Sequence, residues 1–493
     1  MTQTIDTDVP APSRYEVRLP IRHPEILLVL GAAMLSVIKL QRGLWIDETV
    51  TYWVVKDGLR EAMARTFNFP PLSPLYTPLA WASVALGGAS EIALRLPSVA
   101  AMAGAVYFMY RIGCVLLDET AAISAAVLLA YVPGVSLGTL ARPYALAFLT
   151  MLAATWSLLG WLERPSRGHA AAYVLLSAAT IYFQPLYAPV LGIHLVLAWE
   201  RRRAAVPRLL AIDLCVGLLI LPLAWRMWTF HGRAMASSFA RVPEWSEVLS
   251  SIAWLVGATA LLLLLRRRLP FRIPAATLVM WAIGPFILIW ALARATGLGI
   301  VVFRYYAYFF PGAILVLAAL LRVARAPLRL IALVGILFVF VPESVFGYYE
   351  NWREGVARIH ALRLPADTPV LLRSGLPEAR IWYASPDRIP YLMAPLTFYP
   401  VAGPAITLPY DLDETGTSYL EKSVIPMLQD HRYVVILAHV YEYTALKEVP
   451  FRAWFDEHLP RFRSTEVWRQ GPLLLLLYTR RDVATGPEAR GTP

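Results

Sequence analysis

Charged residues and cysteines are both scarce in this sequence. Only 16% of the 493 residues are charged, whereas 58% are hydrophobic, and the mean hydropathy is +0.54. Soluble domains rarely contain so little charge. The two cysteines, Cys114 and Cys215, both lie in apolar runs, which predicts buried thiols and excludes a disulfide framework or a cysteine-based zinc site. Repeated apolar runs of about 20 residues instead predict a polytopic α-helical membrane protein.

A cleavable signal peptide is also missing. Residues 1–23 are polar and contain proline, without a short apolar core followed by a small-residue cleavage site. We therefore expect residues 1–23 to form a cytoplasmic N-terminal segment. The first apolar run is then expected to direct its own insertion.

Basic residues outnumber acidic ones, which gives a net charge of +11. A nucleic-acid-binding protein would gather such charge on one surface, but here the arginines form short clusters between the apolar runs. The positive-inside rule of membrane proteins explains this pattern. We therefore expect membrane lipids, and no nucleic acid, among the partners.

Eleven apolar runs predict about eleven transmembrane helices in residues 24–347. The runs lie at 24–45, 92–117, 120–139, 143–162, 169–184, 186–199, 208–228, 247–265, 273–293, 302–321 and 327–347. Basic clusters at 164–167, 201–208, 266–272 and 322–329 are separated by even numbers of runs. The positive-inside rule therefore places all four clusters in the cytoplasm, together with the N-terminal segment.

A weaker run at 72–88 does not fit this count. If it crossed the bilayer, an odd number of spans would separate the N-terminal segment from the first basic cluster. It also contains Pro74, Pro78 and two glycines, which weaken a spanning helix. We therefore expect an interfacial helix within a first outer loop of residues 46–91. Twelve or thirteen spans are the alternative.

The region after the last span differs from the rest in its pattern. Residues 348–481 contain short β-like runs at 369–372, 433–437 and 473–478, separated by helical patterns with prolines. This pattern predicts a soluble α/β domain on the extracytoplasmic side. The Gly- and Pro-containing residues 482–493 predict a disordered tail.

Two adjacent carboxylates, Asp47 and Glu48, open the predicted outer loop. In one interpretation they belong to the first turn of the next helix, beside an interfacial belt of Trp45, Tyr52 and Trp53. In the other, one carboxylate is a general base that takes the proton of an acceptor hydroxyl, and its neighbour orients or tunes it.

Three arginines are predicted at the same face of the membrane as the two carboxylates. Arg95, Arg142 and Arg304 lie at the outer ends of spans, against the positive-inside trend. Each one alone is explained by snorkelling to lipid phosphates. Three together beside two carboxylates predict a site that holds an anionic phosphate.

The order of the motifs around these residues resembles a known superfamily. The motifs are Trp45-Ile46-Asp47-Glu48, Pro70-Pro71-Leu72, Ala93-Leu94-Arg95-Leu96-Pro97-Ser98 and Ala141-Arg142-Pro143-Tyr144-Ala145-Leu146. This order resembles the GT-C glycosyltransferases, above all the bacterial relatives of the protein O-mannosyltransferases and of the lipid A aminoarabinose transferase. The resemblance covers roughly residues 25–350, and Asn351-Trp352-Arg353 is similar to a junction in some bacterial members.

The resemblance implies an inverting glycosyltransferase of the inner (plasma) membrane. Such an enzyme moves a sugar from a polyprenyl-phosphate carrier to a lipid, glycan or protein acceptor at the periplasmic face. Asp47 is then the base, with Glu48 assisting. The resemblance implies donor-phosphate binding by Arg95, Arg142, Arg304 and Tyr305, and a pocket that includes Tyr144, Gln184 and Tyr306.

Metal ligands are not conspicuous in the sequence. No dense set of Asp and His residues stands out, so we expect no structural metal, and the use of a divalent cation stays open.

Two other classes of protein fit part of the pattern. A membrane transporter or lipid flippase has charged or broken helices near the midplane, often with inverted repeats. The predicted spans contain few ionisable residues, with Asp213 the main one, and show no repeat. An interaction or assembly protein would use the C-terminal region but would leave the outer Asp and Arg residues unexplained. The sequence therefore favours the glycosyltransferase.

Overall fold

Residues 24–346 fold mainly into helices, as apolar runs must in a bilayer, where each backbone polar group needs an internal partner. The computed structural model describes residues 23–69, 72–229, 241–346, 350–441 and 448–482. The α-helices among the described residues up to 346 are α1 (Pro24–Leu40), α2 (Ile46–Val55), α3 (Leu59–Asn68), α4 (Tyr76–Gly87), α5 (Glu91–Leu116), α6 (Glu119–Leu137), α7 (Tyr144–Glu163), α8 (Arg167–Phe183), α9 (Val190–Arg202), α10 (Val206–Thr229), α11 (Trp245–Leu265), α12 (Ala275–Thr296), α13 (Phe303–Tyr306), α14 (Phe310–Val323) and α15 (Ala326–Phe346).

The predicted apolar runs and the observed helices agree closely. Each of the eleven runs corresponds to one long helix, namely α1, α5 to α12, α14 or α15, and the run at 302–321 also contains the short α13. Six segments of the described chain are long and apolar enough to cross a bilayer: Glu91–Leu116, Tyr144–Glu163, Pro185–Thr229, Trp245–Arg268, Ala275–Thr296 and Phe303–Val323. The chain is therefore a multi-pass membrane protein, and the figure of eleven crossings stays a prediction.

The predicted first outer loop contains three short helices, α2, α3 and α4. Helix α4 has 12 residues, which rise only about 18 Å, whereas the bilayer core is about 30 Å thick. It is therefore too short to span, in agreement with its interfacial assignment. Asp47 and Glu48 lie in the first turn of α2, as the helix-start interpretation predicts.

Small residues allow close contacts between helices of the bundle. A Cβ atom at Gly113 of α5 would lie 2.8 Å from Ala122 of α6, and one at Gly312 of α14 would lie 2.6 Å from the backbone of Trp281 in α12. Association of helices in lipid depends on such tight packing, because lipid tails compete with apolar side chains. The first of these contacts packs α6 against α5, which carries the predicted site residue Arg95.

The chain after the bundle forms a mixed five-stranded sheet flanked by helices. The strands are β1 (Val370–Arg373), β2 (Ala405–Thr407), β3 (Tyr433–His439), β4 (Phe462–Gln470) and β5 (Leu473–Arg480). Their order is β2-β1-β3-β5-β4; β1 is parallel to β2 and β3, and β5 is antiparallel to β3 and β4. The helices are α16 (Trp352–Ala361), α17 (Ala379–Trp382), α18 (Ile389–Leu392), α19 (Ala394–Phe398), α20 (Glu414–Tyr419), α21 (Ile425–Leu428) and α22 (Phe451–His458).

Three of the five strands coincide with predicted β-like runs, and two do not. Strands β1, β3 and β5 are the apolar ones. Strand β2 has only three residues, and β4 lies at the sheet edge with mostly polar side chains, so neither gives an apolar run. The N-terminal segment and the predicted disordered tail fall almost wholly outside the described residues.

The C-terminal region (residues 350–482) rests directly on the start of the first outer loop. Glu350 Oε2 accepts hydrogen bonds from the backbone N–H of Ile46 and from Trp352 Nε1, both at 3.1 Å. The Tyr399 hydroxyl accepts a hydrogen bond of 2.8 Å from the Leu44 N–H and donates one of 2.9 Å to Glu91 Oε1. These contacts attach the C-terminal region to the residues that immediately precede Asp47.

Replacing Tyr399 tests this attachment. We expect Tyr399→Phe to leave the buried Leu44 N–H without its partner, at a cost of about 1–3 kcal/mol. Hydrogen exchange of the peptide that contains Leu44 should accelerate, because local opening becomes easier. Tyr433→Phe is the matched control, since no hydrogen bond of the Tyr433 hydroxyl is found within the described residues. Equal exchange in the two variants would contradict the attachment.

Candidate active site

The two adjacent carboxylates have different surroundings. The Glu48 side chain is fully buried, whereas that of Asp47 is 20% exposed. Successive residues of a helix point in different directions, so Glu48 faces the interior of the bundle while Asp47 remains accessible. The two carboxylates are therefore considered separately, because only Asp47 is accessible.

Glu48 forms a buried ion pair with Arg95. Its Oε1 accepts from Arg95 Nε at 2.8 Å and its Oε2 from Arg95 Nη2 at 2.5 Å. Glu48 also accepts from the backbone N–H groups of Ala141 at 2.8 Å and Trp45 at 3.2 Å. A buried ion pair is stable only when its other hydrogen-bonding groups are satisfied, and this carboxylate meets that requirement.

All five N–H groups of Arg95 are used inside the protein. Besides the two bonds to Glu48, they donate to the carbonyl oxygens of Leu40, Arg42 and Gly43 at 2.6–3.0 Å. The Leu40 carbonyl lies at the end of α1, where a helix leaves its last carbonyl groups unpaired, and the other two carbonyls follow that end directly. The structure therefore does not support the predicted phosphate-binding role of Arg95, because no donor is left for a ligand. It also gives Glu48 a structural role in place of the predicted catalytic assistance.

Asp47 lies between two other arginines. Its Oδ2 is 3.7 Å from Arg304 Nη2 and 4.0 Å from Arg142 Nη2, and both arginine side chains are mostly buried. The Nε of Arg142 is buried and has no hydrogen-bond partner within the described chain. Two cations beside one carboxylate leave an excess positive charge, which favours the binding of an anion.

The Glu48 pair also fixes the position of Arg142. Arg142 lies in the turn between α6 and α7, and the preceding residue, Ala141, donates its N–H to Glu48 and accepts from Thr51 Oγ1 at 2.9 Å. Ser98 Oγ donates to the Arg142 carbonyl at 3.1 Å. Residues of α2 and α5 thus hold the turn in place. The ion pair of Glu48 and Arg95 is therefore connected by hydrogen bonds to the turn that carries Arg142.

Arg304 comes from a distant part of the chain. It lies in α13, where the Tyr187 hydroxyl donates to its carbonyl oxygen at 3.4 Å. Its guanidinium carbon is 5.4 Å from the Trp45 ring centroid and 5.3 Å from that of Tyr305. These ring contacts hold the guanidinium beside Asp47 by cation–π attraction and place the predicted Tyr305 next to the site.

The three predicted pocket residues have different positions. Tyr144 is buried at the start of α7, two residues after Arg142. Gln184 is buried at the end of α8, just before the turn that carries Tyr187. Tyr306 packs against the Phe286 ring at a centroid distance of 4.9 Å. Tyr306 therefore belongs to the aromatic packing behind the site.

One acidic residue near the site was not recognised in the sequence. Glu378 of the C-terminal region is buried, its Oε1 accepts from the Tyr391 hydroxyl at 3.3 Å, and its Oε2 has no partner among the described residues. Burial raises the pKa of the Glu378 carboxyl to about 7, and the charge of Asp47 adds to the rise, whereas a backbone N–H, Tyr391 and Arg142 lower it. Its sequence neighbours, Pro377 and Ala379, give no signal of this position.

The electrostatics of the site do not suit a metal ion. Within the described residues no group of three or more His, Cys, Asp or Glu side chains could hold one. Asp47 is flanked by two guanidinium groups, which repel a divalent cation and attract a phosphate.

The ion pair of Glu48 and Arg95 gives a direct prediction for stability. Glu48→Gln removes the charge and turns an amide N–H₂ group towards N–H donors, so we expect a loss of about 3–5 kcal/mol and a lower Tm. Glu61→Gln is the matched control, because Glu61 pairs with Arg65 at the surface with its side chain 50% exposed, where such pairs contribute about 0–1 kcal/mol. An unchanged Tm for Glu48→Gln would refute the role of the pair.

Part of the chain is similar to a known protein family. Residues 70–228 match the family model described as dolichyl-phosphate-mannose-protein mannosyltransferase. The matched segment includes Arg95, Arg142 and Tyr144. No curated protein sequence matches the chain.

Solved structures share the fold over most of the chain. ArnT from Cupriavidus metallidurans bound to undecaprenyl phosphate is 14% identical, with a TM-score of 0.56 over 95% of this chain and 100% of that chain. Its apo state is 13% identical, with a TM-score of 0.54 over 92% and 97%. The apo oligosaccharyltransferase of Archaeoglobus fulgidus is 11% identical, with a TM-score of 0.50 over 84% and 69%. Residues 70–228 are therefore similar to the dolichyl-phosphate-mannose-protein mannosyltransferase family, and the chain shares its fold with ArnT and with the archaeal oligosaccharyltransferase.

Proposed function

We propose that the protein is an inverting glycosyltransferase that moves a sugar from a polyprenyl phosphate to an acceptor hydroxyl at the periplasmic face of the inner membrane. The observation that carries the proposal is Asp47 between the guanidinium groups of Arg142 and Arg304. One accessible carboxylate suits a general base, and two adjacent cations suit a phosphate leaving group.

The residues have distinct tasks in the transfer. The acceptor oxygen forms a bond to the anomeric carbon while the bond from that carbon to the phosphate oxygen breaks. The phosphate oxygen keeps the bonding electrons, and Arg142 and Arg304 neutralise the charge that develops there. The acceptor proton passes to Asp47. A single displacement inverts the anomeric carbon, and no carboxylate nucleophile is needed, in contrast to retaining glycosidases.

The lipid part of the donor is inferred from a structural relative. ArnT is bound to undecaprenyl phosphate in its structure, so this lipid is a suitable probe for the present chain. Arg142 and Arg304 are the residues proposed to hold its phosphate, with Tyr305 beside them. Arg95 is assigned to the framework, because its donors are already used by Glu48 and by the end of α1.

The central test is an activity assay in native membranes. Purified protein is added to membranes of a strain that lacks the gene, which hold the unmodified donor and acceptor, and the products are identified by mass spectrometry. Wild-type protein should restore a sugar modification that differs between the deletion strain and its parent. If it moves lipids across the bilayer without any sugar transfer, the transporter interpretation replaces this one.

The proposed base can be tested in the same assay. We expect Asp47→Asn to fold normally and to lower the transfer rate by about 10²–10⁴-fold, the usual effect of losing a general base. The matched control is Asp57→Asn, since Asp57 is an exposed acid of the same loop that pairs with Lys56 and Arg65. Turnover by Asp47→Asn at the wild-type rate would remove the base from the mechanism.

The phosphate site can be tested without turnover. We expect Arg142→Gln and Arg304→Gln each to weaken binding of undecaprenyl phosphate about 10- to 100-fold, because a charge-assisted contact of about 1.5–3 kcal/mol is lost. Arg241→Gln is the control, since Arg241 is 62% exposed and pairs with Glu247 at the surface. Unchanged affinity in both site variants would place the phosphate elsewhere.

A further inference from the structure

An open cleft of about 500 Å³ lies between the first outer loop and the C-terminal region. Its lining comes from the end of α2, from α3 and the following Phe69, and from residues 387–397. Ligand pockets have volumes of roughly 300–1,000 Å³. The cleft is therefore large enough to hold a ligand, and the proposed transfer step uses none of its residues.

Of the five charged side chains that line the cleft within the described chain, three are already paired. Arg65 forms ion pairs with Glu61 at 3.1 Å and with Asp57 at 2.5 Å, and Lys56 pairs with Asp57 at 3.0 Å. The Arg65 guanidinium carbon also lies 4.6 Å from the Trp53 ring centroid. These groups form the wall of the cleft on the side of the outer loop.

The other two charged residues, Asp387 and Arg388, are consecutive in the chain and belong to the opposite wall. Neither side chain has a hydrogen-bond or ion-pair partner among the described residues. The Arg388 guanidinium carbon lies 5.0 Å from the ring centroid of Phe69 and 5.3 Å from that of Trp382. An arginine held over aromatic rings keeps its N–H groups available for hydrogen bonds. The cleft therefore presents an unpaired acceptor group beside an unpaired donor group.

This pair of groups selects a neutral ligand. A phosphate or carboxylate would be attracted by Arg388 but repelled by Asp387, and an ammonium group would meet the reverse. A hydroxyl group both donates and accepts a hydrogen bond, so two neighbouring hydroxyls satisfy Asp387 and Arg388 together. A neutral molecule with several adjacent hydroxyl groups is a carbohydrate.

A peptide fits the cleft less well than a carbohydrate. Peptides are bound as an added strand at a sheet edge, as a helix in an apolar groove, or as a polyproline helix in an aromatic groove. No strand of the sheet lines the cleft within the described part of the chain, and half of the lining side chains are charged. The cleft therefore lacks the features by which these peptide sites bind.

We propose, on the basis of the function proposed above, that this cleft is a subsite for the carbohydrate part of the acceptor. Asp387 accepts a hydrogen bond from one hydroxyl, and Arg388 donates one to a neighbouring hydroxyl. Trp53, in the opposite wall, follows Asp47 by six residues in α2, which is about 9 Å along the helix axis. The subsite therefore binds a part of the acceptor that lies next to the reacting sugar and does not itself react.

Direct binding to the purified full-length protein tests this subsite. The probe is the neutral oligosaccharide fraction that mild acid releases from the glycolipids and polysaccharides of the deletion strain, and equilibrium dialysis gives its half-saturating concentration. Asp387→Ala and Arg388→Met should each raise this concentration about tenfold, because a hydrogen bond to a charged group is lost. Both variants should bind undecaprenyl phosphate as wild-type protein does. Asp430→Ala is the matched control, since Asp430 is an exposed aspartate of the same region outside the cleft.

The salt dependence separates a neutral ligand from a charged one. Raising the ionic strength from about 0.05 M to about 0.5 M screens the attraction between accessible charges. The half-saturating concentration of a neutral carbohydrate should therefore change by less than about threefold. A larger rise would indicate a charged or zwitterionic ligand and would overturn the proposal.

The remaining outcomes separate this inference from the proposed function. If wild-type protein transfers sugar but both cleft variants bind the oligosaccharides as Asp430→Ala does, the subsite is wrong and the function stands. The subsite is also wrong if wild-type protein binds no oligosaccharide, or if a peptide fraction of the strain binds instead through Asp387 and Arg388. Oligosaccharide binding that depends on both residues, without sugar transfer by wild-type protein, contradicts the function and with it the acceptor role. If Arg388→Met does not fold, the exposed change Asp387→Ala gives the answer.

Discussion

The buried pair of Glu48 and Arg95 is the interaction on which the rest of the site depends. Through it, one carboxylate and one guanidinium connect the end of α1, the first turn of α2, the body of α5 and the turn that carries Arg142. Removing charges from water is costly, and the pair persists because its oxygens and N–H groups are hydrogen-bonded. Because Glu48 is fixed in the interior, the adjacent residue Asp47 is held at the accessible face.

The exposed half of the site combines residues from regions far apart in the chain. Asp47 comes from the first turn of α2, Arg142 from the turn between α6 and α7, and Arg304 from α13. The hydrogen bonds of Glu350 and Tyr399 keep the C-terminal region on the residues just before Asp47. The transporter interpretation rested on Asp213, which accepts a hydrogen bond of 2.8 Å from Tyr173 and does not account for the Asp47 site.

The sequence alone was sufficient for the positions of the helices and for part of the site. A long apolar run in a bilayer must pair its backbone groups internally, and each of the eleven runs is helical. The parity of the basic clusters predicts that α4 does not span, and α4 has only 12 residues. The sequence also indicated that Asp47, Arg142 and Arg304 share a face. It could not indicate which arginine pairs with which carboxylate, because Glu48 and Arg95 meet only through tertiary packing. The sequence also did not indicate the burial of Glu378 or the presence of the polar strand β4, because neither has a local pattern that distinguishes it from surface residues.

In the proposed mechanism the donor phosphate binds beside Asp47, between Arg142 and Arg304. The most direct measurement is an experimental structure of the protein with undecaprenyl phosphate bound. We expect the phosphate oxygens to lie within hydrogen-bonding distance of Arg142 and Arg304, with the Glu48–Arg95 pair intact. A phosphate bound to Arg95 with that pair broken, or bound away from Asp47, would contradict it.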